Sequence, residues 1–179
     1  MGGMGRFFAV LVLALALAAL VGGQRAHAKA VGAFRVDHVV DGDTIALQNG
    51  ARVRLVQIDT PEVYFQRECY GRQASAVTKR LLPPGTLVRL LPEPAADRVD
   101  RYGRLLRYVV RVQGDVEVNI RLVATGVAAP YFYDHQRGRH ASQLDRLARS
   151  ARARKLGLWG ACPGTPYDPY RGVATGRPR

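Results

Sequence analysis

Arg54-Leu55-Val56-Gln57-Ile58-Asp59-Thr60-Pro61-Glu62 is an apolar run that starts with a cation and ends with two carboxylates. Its β-branched residues predict a strand, and because a residue before proline favours extended backbone, the Thr-Pro end delivers Asp59, Thr60 and Glu62 to a rim. Just upstream, Asp41-Gly42-Asp43-Thr44 sets two more carboxylates around a glycine suited to a tight turn. Asp-Gly alone is a common turn, and isolated charges are common on any surface. No turn, however, needs Asp-Gly-Asp-Thr followed by Arg and then Ile-Asp-Thr-Pro-Glu.

Outward from this stretch, Phe34, Val36, Val39 and Val40 mark a strand over 34–40 that runs into the aspartate turn. Ile45 and Leu47 alternate over 44–48, and Asn49-Gly50 is a strong short hairpin signal because both residues tolerate positive φ. The segment 52–58 then returns antiparallel, which brings Asp43 and Asp59 to one end of a three-stranded meander. After a polar loop holding Cys69, the residues Ala74, Val77 and Leu81 share one helical face over 71–82, and Pro83-Pro84-Gly85 stops the helix. A fourth strand is expected over 87–91, and a further hairpin pairs 105–112 with 116–118. Between them lies the arginine-dense loop 97–105.

Residues 119–125 read as a short helix ended by Gly126, followed by the aromatic cluster Pro130-Tyr131-Phe132-Tyr133. A terminal helix within 139–156 carries the stripe Leu144, Leu147, Ala148 and Ala151, with Leu158 and Trp159 capping the core and a loose tail from Pro163. Five short strands with a helix after the third predict a mainly β chain with α: a five-stranded OB-fold Greek-key barrel with about three helices. A sandwich would need about seven strands.

The 179 residues carry 27 Lys plus Arg against 14 Asp plus Glu, a formal net charge of +13, so the far field attracts polyanions and nucleic acid is the expected partner. At the N-terminus, Arg6, the apolar run Phe7 to Val21 and Ala26-His27-Ala28 have the pattern of a signal peptide, residues 1–28, cleaved after Ala28. The alternative, a membrane anchor, is disfavoured because the run falls short of the ~20 residues of a comfortable span. The expected organisation is a short linker over 29–33, one domain over 34–160 and a tail over 161–179. The mature chain is expected to be exported, secreted or periplasmic, monomeric and without a stable membrane partner. Export puts Cys69 and Cys162 in an oxidising compartment, where a pair tends to close as a disulfide. Two Cys with scattered His offer no zinc-ligand spacing.

Hard oxygen ligands on loops suit calcium, and Asp43 and Asp59 with the Thr60 carbonyl make such a set, completed by water. Glu62 stands where it can orient or deprotonate an attacking water. Guanidiniums are wanted beside such a metal when phosphoryl charge develops, and Arg54 and Arg104 are the candidates. Tyr102, Tyr131 and Tyr133 offer hydroxyls to a phosphate and faces to a base.

Over roughly residues 34–160 the chain resembles the staphylococcal (micrococcal) nuclease family, the thermonucleases. The resemblance rests on Val40-Asp41-Gly42-Asp43-Thr44, Arg54 ahead of Asp59-Thr60-Pro61-Glu62, Gly71-x-x-Ala74-Ser75, Asp100-Arg101-Tyr102-Gly103-Arg104 and Gly157-Leu158-Trp159. It implies an OB-fold, calcium-dependent phosphodiesterase acting on DNA and RNA to leave 3'-phosphate ends. Asp43 and Asp59 then match the family's calcium carboxylates, Thr60 its carbonyl ligand and Asp41 a nearby supporting acid. Arg54 and Arg104 match the catalytic arginines, Glu62 the general base and Tyr102 a phosphate contact. The spacing from Gly126 to the aromatic cluster is one residue shorter than the family pattern, so the base-side role falls to Tyr131 or Tyr133. Cys69 is a further departure from the best-known members. The competing reading is a catalytically inactive OB-fold module that only binds nucleic acid, which has no need to keep Asp43, Arg54, Asp59, Glu62 and Arg104 together.

Overall fold

The structure is a computed structural model that describes residues 32–64 and 67–177. The signal-peptide reading, its cleavage after Ala28 and most of the 29–33 linker concern residues outside this range.

Strands β1 (Phe34–Val39), β2 (Thr44–Leu47) and β3 (Arg52–Leu55) form the expected antiparallel meander, joined at Asn49-Gly50, where Gly50 takes φ 84°. The third strand does not continue to Ile58. It breaks at Val56-Gln57, where Gln57 adopts φ 62°, and a separate short strand β4 (Ile58–Asp59) pairs instead with β8 (Ala129–Pro130).

Strand β5 (Leu87–Pro92) pairs antiparallel with β1 and with β6 (Leu105–Arg111), while β6 pairs in parallel with β3 through Val53 and Leu105. That last pairing closes β1, β2, β3, β6 and β5 into the predicted five-stranded barrel, and β7 (Val116–Glu117) completes the hairpin with β6. The interior is filled by Val36, Ile45, Val53, Leu55, Val88 and Val109, all fully buried.

Helix α1 (Gly71–Leu81) sits between the third and fourth barrel strands, and Lys79 and Arg80 in its last turn complement the helix dipole. Its buried face is Ala74, Ser75 and Thr78; Val77 and Leu81 are only partly covered. A threonine reaches the inside because its hydroxyl donates to the Gly42 carbonyl at 2.6 Å, which props the aspartate turn on the helix. Helices α2 (Val118–Ala124) and α3 (Ala141–Ala153) close the barrel with Leu122, Val123, Leu144 and Ala148, and Leu147 stands at the margin. Each fully buried leucine contributes on the order of 2 kcal/mol by removal from water.

A one-turn helix α4 (Leu158–Ala161) seats Trp159 in a second apolar cluster with Ala129, Ala151 and Val173. Val173 belongs to the segment expected to be a loose tail. That segment instead runs back over the domain: the Phe132 amide donates to the Pro169 carbonyl at 2.6 Å, the Cys69 amide to the Gly176 carbonyl at 2.7 Å, and the Tyr167 hydroxyl to Asp145 at 2.6 Å. The Cys69–Cys162 disulfide pins its start. Pro, Gly and Arg content alone signals a tail, but carbonyl and amide groups spaced to pair with the loop around Cys69 leave no mark in the composition.

The bridge closes a separation of 93 residues, for which the chain-entropy account gives about 4–5 kcal/mol of stabilisation. Reduction, or Cys69→Ser with Cys162→Ser, should therefore lower the thermal unfolding midpoint by roughly 10 °C, read by circular dichroism with and without reductant. An unchanged midpoint would mean that the bridge adds nothing to the docked segment.

Candidate active site

The break after β3 is what builds the site. In an uninterrupted strand, residues five apart are about 16 Å apart and point to opposite faces. The turn at Val56-Gln57 folds Asp59 back so that its Oδ1 accepts from Arg54 Nη2 at 2.7 Å, while Arg54 Nη1 donates to the Leu55 and Ile58 carbonyls at 2.8 and 2.7 Å and braces the turn itself. Pairing of Thr44 with Arg54 across β2 and β3 sets the same guanidinium beside the aspartate turn, where Arg54 Nε lies 3.1 Å from Asp43 Oδ1.

Asp43, 5% exposed, has its other oxygen occupied as well, accepting from the Thr60 amide at 2.8 Å and the Thr60 hydroxyl at 2.9 Å. Asp41 accepts from the Asp43 amide at 3.1 Å. Gly42 between them is required by contact: a Cβ there would lie 2.7 Å from Thr60 Cβ, and its φ is not in the left-handed region. The glycine thus serves the approach of Thr60, which the turn propensity of Asp-Gly does not announce.

Asp59 gains a second partner that the sequence reading missed. The Val173 amide, from the returning C-terminal segment, donates to Asp59 Oδ2 at 2.9 Å. Gly172 makes this approach with φ 76°, and a Cβ there would sit 2.8 Å from the same oxygen.

Glu62 and Arg104 flank this knot. Glu62 is exposed, and its amide donates to Glu68 Oε2 at 2.9 Å. Arg104 pairs with Asp100 through Nε at 2.7 Å and reaches the site by way of Thr44 Oγ1 at 3.4 Å, so it does not touch the aspartates. Arg54, Arg104, Tyr102, Tyr131 and Tyr133 line one cavity of about 400 Å³. Tyr131 is half-buried and close enough to Asp59 for burial first, and that charge second, to raise its pKa; Tyr133, 69% exposed, stands edge-on to it at 6.3 Å. Both tyrosines therefore belong to one wall, Tyr131 on the inside and Tyr133 at the mouth.

Behind the wall lies a buried network that the sequence reading also missed. The Tyr108 hydroxyl is 3.0 Å from Gln57 Oε1 and 3.2 Å from Glu93 Oε2, and Gln57 Nε2 donates to the Gln136 carbonyl at 3.0 Å. It fixes the left-handed Gln57 on which the chain reversal depends. Four residues from four separate segments make it up, so no local pattern could have signalled it.

The charges do not balance. Burial pushes Asp59 up, Arg54 opposes, Asp43 adds to the rise, and the carboxyl ends at about 7. Burial and then Asp43 raise Asp41, and burial, Asp43 and Asp41 raise Glu62. Burial works against the Arg54 cation, yet Asp43, Asp59 and Asp41 outweigh it and hold the guanidinium charged. One cation faces four carboxylates.

A sequence model of the family described as "Staphylococcal nuclease homologue" matches residues 52–161. The chain belongs to this family. Its β1, β2, Asp41 and Asp43 precede the matched stretch, and most of the docked C-terminal segment follows it. The Thermonuclease of Staphylococcus intermedius is 33% identical over 132 residues, covering 70% of this chain and 75% of that protein. Protein ParB of Escherichia coli is 35% identical over 164 residues, 86% of each. Endonuclease YhcR of Bacillus subtilis is 31% identical over 137 residues, and the chain spans 11% of its length.

A divalent cation fits this surplus of hard oxygen, with Asp43, Asp59 and the Thr60 carbonyl as holders and Asp41 beside them. Among the described residues no three His, Cys, Asp or Glu side chains stand as a ready-made cluster, so water would complete the shell. An added cation favours the charged carboxylate. Asp59, near 7 without one, should therefore fall toward the usual carboxylate range when calcium is added, followed by carboxyl carbon chemical shifts against pH. Val173→Pro removes the amide donor and should move the cation-free value further up.

Proposed function

We propose that the protein is a calcium-dependent nuclease that hydrolyses phosphodiester bonds of DNA and RNA with little sequence preference and leaves 3'-phosphate ends. The observation that carries this reading is the surplus of carboxylate around Arg54, set at the edge of a cavity walled by a second arginine and three tyrosines. Relatives bearing the names thermonuclease and endonuclease support it.

In this reading Asp43, Asp59 and Thr60 hold the cation, which offsets phosphate charge when bound. Arg54 is locked by two carbonyls and two carboxylates, so it meets a phosphate without reorganising, the condition under which fixed charge lowers a barrier most. Arg104, fixed by Asp100 through Nε, presents the rest of its fork to the same cavity. Glu62, with its pKa raised by burial and by the neighbouring aspartates, takes the proton of the attacking water. Tyr102 contacts a phosphate, and Tyr131 and Tyr133 offer faces to a base. Export through a cleaved leader is part of the proposal, and the Cys69–Cys162 bridge supports it.

Glu62→Gln should lower turnover while leaving calcium and nucleotide affinity nearly intact, whereas Asp43→Asn should weaken the cation as well. Arg54→Lys keeps the charge and loses the planar fork, so a loss of at least about 10²-fold in rate is expected. Kinetics on a defined oligonucleotide at saturating calcium, with analysis of product ends, decide this. Near wild-type rates for Glu62→Gln and Arg54→Lys together would place the chemistry elsewhere.

A further inference from the structure

A second cavity, about 620 Å³, is lined in part by Glu62 and shares no lining residue with the cavity of the tyrosine wall. Its lining includes Arg67, Arg72 and Arg177, and its floor is formed around the Cys69–Cys162 bridge. One side of it is the docked C-terminal segment, where the Thr175 hydroxyl donates to the Cys69 carbonyl at 2.7 Å. Thr175 lies two residues beyond Val173, whose amide is on Asp59, so chain length alone puts the groove's edge within about 10 Å of the aspartate knot. Glu62 lines it directly.

We propose that this groove carries the sugar-phosphate backbone of a polynucleotide strand beyond the bond that is cut. The inference rests on the nuclease reading and extends it to a site that Arg177 and Cys162, which follow the matched stretch, help to build with Arg67, Cys69 and Arg72 inside it. Charge decides the occupant. Arg67, Arg72 and Arg177 are all exposed, and none of them forms an ion pair among the described residues. Of the two carboxylates in the groove, Glu68 is engaged by the Glu62 amide, and three guanidiniums stand against the pair.

Three tyrosines line the other cavity, whereas here Tyr70 alone stands among three guanidiniums. The groove therefore grips phosphates and ignores bases, as a positively charged backbone track does. A substrate long enough to enter it gains affinity without gaining sequence preference.

The test compares the full chain with the variant Arg67→Ala, Arg72→Ala, Arg177→Ala and with the matching lysine variant. Cleavage of a dinucleotide, which spans one phosphodiester, is set against cleavage of a single-stranded 12-mer. Binding of a labelled 12-mer in chelator is measured alongside by fluorescence anisotropy. The alanine variant should lower the preference for the 12-mer over the dinucleotide at least about tenfold and reduce the salt slope of 12-mer binding by about 2, some 0.7 per lost single-strand contact. Lysine should restore most of both, since a phosphate track needs point charges rather than forks.

An unchanged preference and slope would overturn the groove, as would an equal fall on both substrates. If the wild type cleaves neither substrate, the nuclease reading fails, and the anisotropy shift alone decides the groove. The arginines are surface residues, and an unchanged unfolding midpoint verifies that the variant is folded.

Discussion

Arg54 is buried between two loops that would otherwise repel each other. Its guanidinium meets Asp43 from the turn after β1 and Asp59 from the reversal after β3, and it also caps the carbonyls of Leu55 and Ile58 within that reversal. Removing one partner from a buried, hydrogen-bonded charge group is strongly destabilising, because the remaining charges stay out of water uncompensated. Here two or three carboxylates would be left facing one another. The barrel could survive such a loss, but the rim could not keep its shape, since the chain reversal, the aspartate turn and the approach of Thr60 all hang on the same side chain.

The same arrangement explains why the site is poised for an anionic substrate although it is itself rich in carboxylate. Arg54 alone does not neutralise the cluster, as the elevated Asp59 shows. In the proposed function a cation would relieve the surplus and let an acidic pocket accept phosphate, with the wider field of a chain at +13 favouring approach.

Much of this was legible in the residues. Asn49-Gly50 fixes the first hairpin, the five strands and the position of α1 follow from alternation and Pro-Gly stops, and the motif residues converge as their spacing suggests. The break at Gln57 was not legible, because Val56-Gln57-Ile58 is a good strand by propensity and is bent by a network assembled from Tyr108, Glu93 and Gln136. The buried face of α1 was misjudged for a similar reason: Thr78 outranks Val77 through one hydrogen bond to a distant carbonyl. The docking of 163–177 escaped because its partners are backbone groups, and composition reports side chains. In each case the missing information lay in contacts far apart along the chain.

Chain order gives the docked segment a further consequence. Proteins are made from the amino end, and a domain generally folds as a unit once its sequence is available. Strands β1 to β6 and Arg54 are synthesised before residues 162–177, so until those residues are made the outer oxygen of Asp59 lacks its amide donor and Cys69 its partner. The donor on the outer oxygen of Asp59 and the covalent partner of Cys69 are thus both supplied by the last part of the chain to be made. A reducing compartment would leave that bridge open, so the covalent anchor of the strap that reaches the site depends on the redox state of the surroundings.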